Sequence, residues 1–290
     1  MIEGIIVTTL VKGGVYALLA LGFALIFGVA RVLNLAHTAF YMVAAYGIYT
    51  FADVMGLNPI LSIALSIIVT TGLGLLSYTL FIDRVREHEV TVMLITLALA
   101  MVLQEVMLIA FGGHYRSAPA FVSGYWELLG VKVAYQNLLI FGGALVVLVA
   151  IWALLSKTRL GIAIRATAQD TEIANLMGIN VPQILFAVMG IATALAAVAG
   201  VLVAPTLVLE PHMLWTPFVM IMAIIVLGGL GSIKGSVIGA FILALVEVLV
   251  VFLLPTGAFL KGAAALLVMV IVLVVRPEGL FGIAFEEERL

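Results

Sequence analysis

The chain has 290 residues, 65% of them hydrophobic and only 10% charged, with a net charge of −2 and a mean hydropathy of +1.34. A soluble domain carries roughly 25% charged residues, so this composition excludes an ordinary globular protein, and the near-neutral balance gives no basis for a nucleic-acid partner. The absence of cysteine excludes disulfides and thiolate metal sites.

Repeated apolar runs close to the ~20 residues that cross a bilayer predict an all-α polytopic transmembrane bundle, one domain over residues 1–290. The short alternating segments of a membrane β-barrel are missing. The start, MIEGIIVTTLVKGG, places Glu3 before an apolar run and lacks a basic region followed by a cleavage site. It therefore reads as a retained first span.

Val15 to Phe51 is almost uninterrupted apolar sequence. At ~1.5 Å per residue such a helix would overrun a ~30 Å hydrocarbon core, so it must break. Gly28 to His37 (GVARVLNLAH) is where it breaks. The spans then read 5–28, 35–52, 60–82, 90–111, 137–155, 184–204, 218–228, 236–254 and 261–275, about eight or nine in all. Gly112 to Gln136 and Pro205 to Pro217 are loops, and Gly228 to Gly235 (GGLGSIKG) is a second break, either a turn between spans or a re-entrant one.

Orientation follows from counting basic residues. With the polar segment Ser156–Asn180 in the cytoplasm, that side receives Arg31, Arg84, Arg86, Lys157, Arg159, Arg165, Lys234, Arg276 and Arg289, nine of the 13 basic residues. Lys12, Arg116, Lys132 and Lys261 fall outside. The N-terminus is then outside and the C-terminus cytoplasmic. The two breaks, one in each half, suggest an internal repeat of the kind transporters use around a central site. Glycine-rich breaks are also common in membrane proteins without one.

Polar residues inside spans cost roughly 2.5–3.5 kcal/mol when charged, so they face a cavity or a partner. Gln104 and Glu105 lie deep in the fourth span and Glu247 deep in the eighth. Each carboxylate either lines a pathway or is hydrogen-bonded in the bundle. Asn34, His37 and, just beyond, Tyr41 sit at the first break, where they either line a pore or close the break with hydrogen bonds. Lys12 is near enough to a span end to snorkel. Gly228, Gly229 and Gly231 at the second break are candidate path-lining residues; they resemble a phosphate loop only superficially, since Lys234 precedes Gly235 and the Gly-Lys-Ser/Thr order is missing. With no Walker motif, any use of ATP belongs to another subunit. There is no nucleophilic triad and no HExxH pattern, so neither catalytic residues nor a metal site is expected. Ala192, Ala196 and Gly200, like Gly235 and Gly239, place small residues four apart, a device for close helix packing within this subunit or against a second one.

The polar segment, about 156–183, contains a short helix signal. Asp170 suits its N-cap and Glu172 its first turn; Ile173, Leu176 and Met177 form one apolar stripe. Gly178 suits its end, and Pro182 the first turn of the next helix. The segment is either a solvated loop or a docking helix for a soluble partner.

Three stretches together resemble the branched-chain amino acid ABC permeases of the LivH type. YALLALGFALIFGVARVLNLAHTAFYMVAAY (16–46) is similar to their first signature, with Asn34, Ala36, His37, Phe40 and Tyr41 matching and Thr38 where glycine is usual. GIAIRATAQDTEIANLMGINV (161–181) resembles their cytoplasmic segment, and VLGGLGSIKGSVIGAFILALVE (226–247) their glycine signature, with Lys234 where proline is commoner. Importer permeases carry a Glu-Ala-Ala-x-x-x-Gly coupling helix, and Glu172, Ile173, Ala174 and Gly178 keep that spacing.

The resemblance implies a permease in the prokaryotic plasma (inner) membrane, working with a second related permease, two ATPases and an extracytoplasmic binding protein. It implies no cofactor in this chain, ATP and Mg residing on the partners. Ile173, Leu176 and Met177 would anchor the coupling helix in an ATPase cleft, with Arg165, Gln169 and Asp170 at the rim. The cargo would be a branched-chain or other apolar amino acid, with urea or a short amide as the alternative within the family. From another class, an ion-coupled transporter would use Glu105 and Glu247 as proton sites.

Overall fold

The computed structural model describes residues 2–128 and 131–282. Arg289 and the acidic tail lie outside the described residues. Among the described residues eleven α-helices build an all-α bundle, and seven of them are long and apolar enough to cross a membrane.

Helix α1 (Ile2–Ala30) runs through the centre, and every residue from Ala17 to Ile26 is buried. At ~1.5 Å per residue it is about 44 Å long, so it outruns the ~30 Å hydrocarbon core. Around it pack α8 (Val181–Val203), α9 (Trp215–Gly228) and α10 (Ile233–Leu253), while α2 (His37–Ile48) packs on α8 and reaches α1 through His37. Two of the expected spans are present but short as single α-helices. Helix α2 is short and continues as a π-helix over Tyr49–Val54, and α9 has only 14 residues, about 21 Å. Both are lined with buried residues, so neighbouring protein rather than lipid surrounds them.

The outer helices are α3 (Pro59–Ser77, continued as a π-helix to Ile82), α4 (Glu89–Phe111), α5 (Tyr135–Lys157) and α11 (Gly257–Val275). In α3 and α4 the inward face is a series of mostly small or polar residues four apart. In α3 these are Ser62, Ser66, Thr70 and Gly74; in α4 they are Val92, Thr96, Ala100 and Gln104. Ile60, Ile68, Leu94, Ile109, Val146 and Val274 point outward. In water this pattern would be inside out. In a bilayer, lipid solvates the large apolar groups and small faces let helices approach closely.

The same logic operates in the core. A Cβ on Gly200 would run into the Tyr41 carbonyl, and Gly74 lies against Thr193. The series from Ala192 through Ala196 to Gly200 therefore packs α8 within this subunit, Ala192 against Gly22 of α1 and Gly200 against α2. Gly239 serves α10 in the same way against the Ile224 carbonyl of α9.

At one end of the bundle lie two short helices, α6 (Arg159–Gln169) and α7 (Thr171–Leu176). At the other, part of the expected Gly112–Gln136 loop forms an antiparallel hairpin of β1 (Tyr125–Leu128) and β2 (Val131–Ala134). Arg116 and Leu209 exchange two backbone hydrogen bonds, tying this loop to the one before α9. These ends are the α7 end and the hairpin end.

Candidate functional site: three cavities and a projecting helix

The first helix break is closed by hydrogen bonds. Asn34 Oδ1 accepts from the Ala36 amide at 3.1 Å, and Thr96 Oγ1 of α4 accepts from the Leu35 amide at 3.1 Å. His37 Nε2 lies 3.1 Å from the Leu19 carbonyl, in space that Gly22 leaves open. His37 is thus enclosed by α1, while Asn34 also lines a cavity of about 220 Å³ at the α7 end, with Tyr78, Arg86, Val188 and Met189. Thr96 escaped sequence reading because a threonine in an apolar run carries no signal of its own.

The second break lies against the first. Gly28 is in van der Waals contact with Gly231, and Gly228 with Gly235. Gly229 and Gly231 take φ of +98° and +77°, backbone that favours glycine. Leu280 and Phe281, after α11, donate to the Leu227 and Gly228 carbonyls at 2.8 and 3.1 Å. Gly228 and Gly229 therefore sit in a closely packed turn. Gly231 borders a second α7-end cavity of about 480 Å³, with Arg31, Glu89 and Gln169.

At the hairpin end the bundle holds a polar cluster. Lys12 Nζ donates to Glu247 Oε1 at 2.7 Å, and Tyr16 Oη donates to Glu247 Oε2 at 2.7 Å. The Glu247 side chain is 2% exposed, that of Lys12 36%. Lys12 does not snorkel away from the bundle; it pairs with the one acid that α10 buries. Two lone, opposite charges in separate spans were the available signal, because each is costly without the other. Both line a cavity of about 380 Å³, together with Tyr16, Tyr41, Glu210 and Lys261. It shares no lining residue with the α7-end cavities. Between them α1 is buried from Ala17 to Ile26, so no open path runs along it at mid-depth.

Gln104 and Glu105 lie apart from this cluster. Gln104 is buried and accepts from Trp215 Nε1 at 2.7 Å, tying α4 to α9. Glu105 is exposed on the outward face of α4, touched by Gln104 Nε2 at 3.5 Å.

The α6–α7 segment is built by caps. Thr158 Oγ1 accepts from the Gly161 amide at 3.0 Å and starts α6, which sequence reading did not separate from α7. The Arg165 guanidinium donates to the Leu155 carbonyl and pins α6 to the end of α5. Asp170 Oδ1 accepts from the Glu172 and Ile173 amides at 2.8 and 2.9 Å and starts α7. Gly178, at φ +87°, ends it in open space, and Asn180 caps α8. Ala174 is buried beneath α7, whereas Ile173, Leu176 and Met177 are 58%, 85% and 79% exposed. Gln169 and Asp170 are also exposed beside them.

A family model described as branched-chain amino acid transport system / permease component matches residues 5–275. The chain belongs to this family. Among curated relatives of this permease, the high-affinity branched-chain amino acid transport system permease BraD of Pseudomonas aeruginosa is 30% identical, the match covering 96% of this chain and 94% of BraD. The LivH permease of Escherichia coli K12 is 27% identical over 93% of this chain and 92% of its own. Among solved structures, PsaBC from Streptococcus pneumoniae superposes with a TM-score of 0.54 at 14% identity, covering 96% of this chain and 97% of that one. That likeness is one of fold. The protein is thus a multi-pass membrane permease component.

Proposed function

We propose that this permease is the transmembrane subunit of an ATP-driven ABC importer. It translocates branched-chain or other apolar amino acids handed over by an extracytoplasmic binding protein. The observation that carries the reading is α7: a capped helix, seated on buried Ala174, that holds three apolar side chains out in the open. Such a stripe is an anchor for helix-in-groove docking, and the groove belongs to an ATPase subunit, since this chain has no nucleotide motif of its own. Arg165, Gln169, Asp170 and Glu172 form the polar rim. The α7 end faces the cytoplasm of the inner membrane, where eight of the described basic residues gather, and the hairpin end faces the binding protein. A second, related permease completes the membrane part, with two ATPases beneath.

In this scheme the ATPases close on ATP and move the α7 helices, and the bundle rocks between two states. ATP shifts that equilibrium only through its unequal affinity for them. Separate cavities at the two ends, with no open path along α1 between them, suit such alternation, one cavity opening as the other shuts.

The test is uptake in proteoliposomes with Glu172→Arg plus Met177→Asp. Both ATP-driven uptake and co-purification of the ATPase should be lost; survival of both removes α7 from the docking role. A thiol introduced at Gln169 should be protected from impermeant reagents outside intact cells, and labelling from outside reverses the orientation.

A further inference from the structure

We propose that the hairpin-end cavity is a zwitterion site for one apolar α-amino acid, with Lys12 and Lys261 meeting its carboxylate and Glu210 its ammonium. The inference rests on the permease reading and adds the place and the groups that hold the cargo.

The cavity combines two kinds of lining. Val11, Val15, Val203, Val208 and Met213 give it an apolar wall, and Lys12, Lys261, Glu210 and Glu247 give it two cations and two anions. The charges sum to zero, as do those of a zwitterion. Not all four are available. Glu247 is committed, one oxygen to Lys12 and the other to Tyr16, and it is buried. It therefore acts as a positioning residue that holds Lys12. The Lys12 ammonium has three N–H donors, one of them on Glu247, and its side chain is partly open to the cavity. Among the described residues neither Lys261 nor Glu210 has a salt-bridge partner. A free anion, or a free amine, would satisfy only half of these groups. An apolar zwitterion satisfies both halves and fills the valine-lined wall.

The experiment has two arms. In the first, a thiol is introduced at Thr206, on the cavity wall, in the otherwise unchanged chain, and its alkylation is followed in the detergent-solubilised assembly without binding protein. Leucine should protect the thiol, whereas isocaproate, lacking the ammonium, and isoamylamine, lacking the carboxylate, should not at the same concentration. Equal protection by either analogue, or none by leucine, overturns the proposal.

In the second arm, ATP-driven leucine uptake is measured in proteoliposomes of the whole assembly. Lys261→Met and Glu210→Gln should each lower it about tenfold or more, the worth of a charge-assisted hydrogen bond, and Lys261→Arg should recover it. Wild-type rates in both neutral variants overturn the proposal and leave the permease reading standing. Failure of the wild-type assembly to take up any apolar amino acid on ATP brings down the permease reading as well.

Discussion

Lys12 of α1 and Glu247 of α10 stand 2.7 Å apart although 235 positions separate them in the chain. The pair is asymmetric: the carboxylate is buried, and the ammonium is open to a cavity. Removing one partner strands the other. Lys12→Met should therefore destabilise the protein by about 3 kcal/mol, the low end for a broken buried pair because Lys12 is partly exposed. Lys12→Met combined with Glu247→Gln should recover most of that loss. Thermal melting in detergent checks this, and a single variant as stable as the double would refute it.

Gly28 and Gly231 hold the end of α1 against the α9–α10 turn. Gly231→Ala forces a Cβ onto backbone at φ +77°, at a cost of about 1–2 kcal/mol. Gly28→Val should cost about 1–3 kcal/mol by overpacking the Gly231 carbonyl, which lies 3.2 Å from where its Cβ would stand. Melting temperatures should fall in both cases; an unchanged value for Gly28→Val would mean that this contact is loose.

Asp170 caps a helix that stands nearly free of the bundle. Asp170→Ala should weaken α7 by about 1 kcal/mol without lowering the melting temperature of the whole. Hydrogen exchange at the Glu172 and Ile173 amides should speed up several-fold, since both lose their acceptor. Unchanged exchange at both amides would show that the cap is dispensable.

Gln104 gives Trp215 its hydrogen-bond acceptor. Gln104→Leu leaves that indole N–H unpaired, a cost of about 1–3 kcal/mol. With the exposed Trp126 and Trp152 changed to phenylalanine, Trp215 fluorescence should shift on this substitution. No shift would mean that the indole finds another acceptor.

The sequence by itself determined the membrane-spanning all-α architecture, the two helix breaks and the short helix between Asp170 and Gly178. Each is encoded locally, in runs of apolar residues near bilayer length, in Gly and Asn where a helix cannot continue, and in a cap that acts over two or three residues. Only the tertiary structure decided which polar residues meet. It brought Lys12 to Glu247, Gln104 to Trp215 and Gly28 to Gly231, and it left Glu105 on an outward face. Spacing along one helix says which residues share a side; it says nothing about which distant helix faces that side, because helix packing depends on how small residues such as Gly74 and Gly200 let separate spans approach.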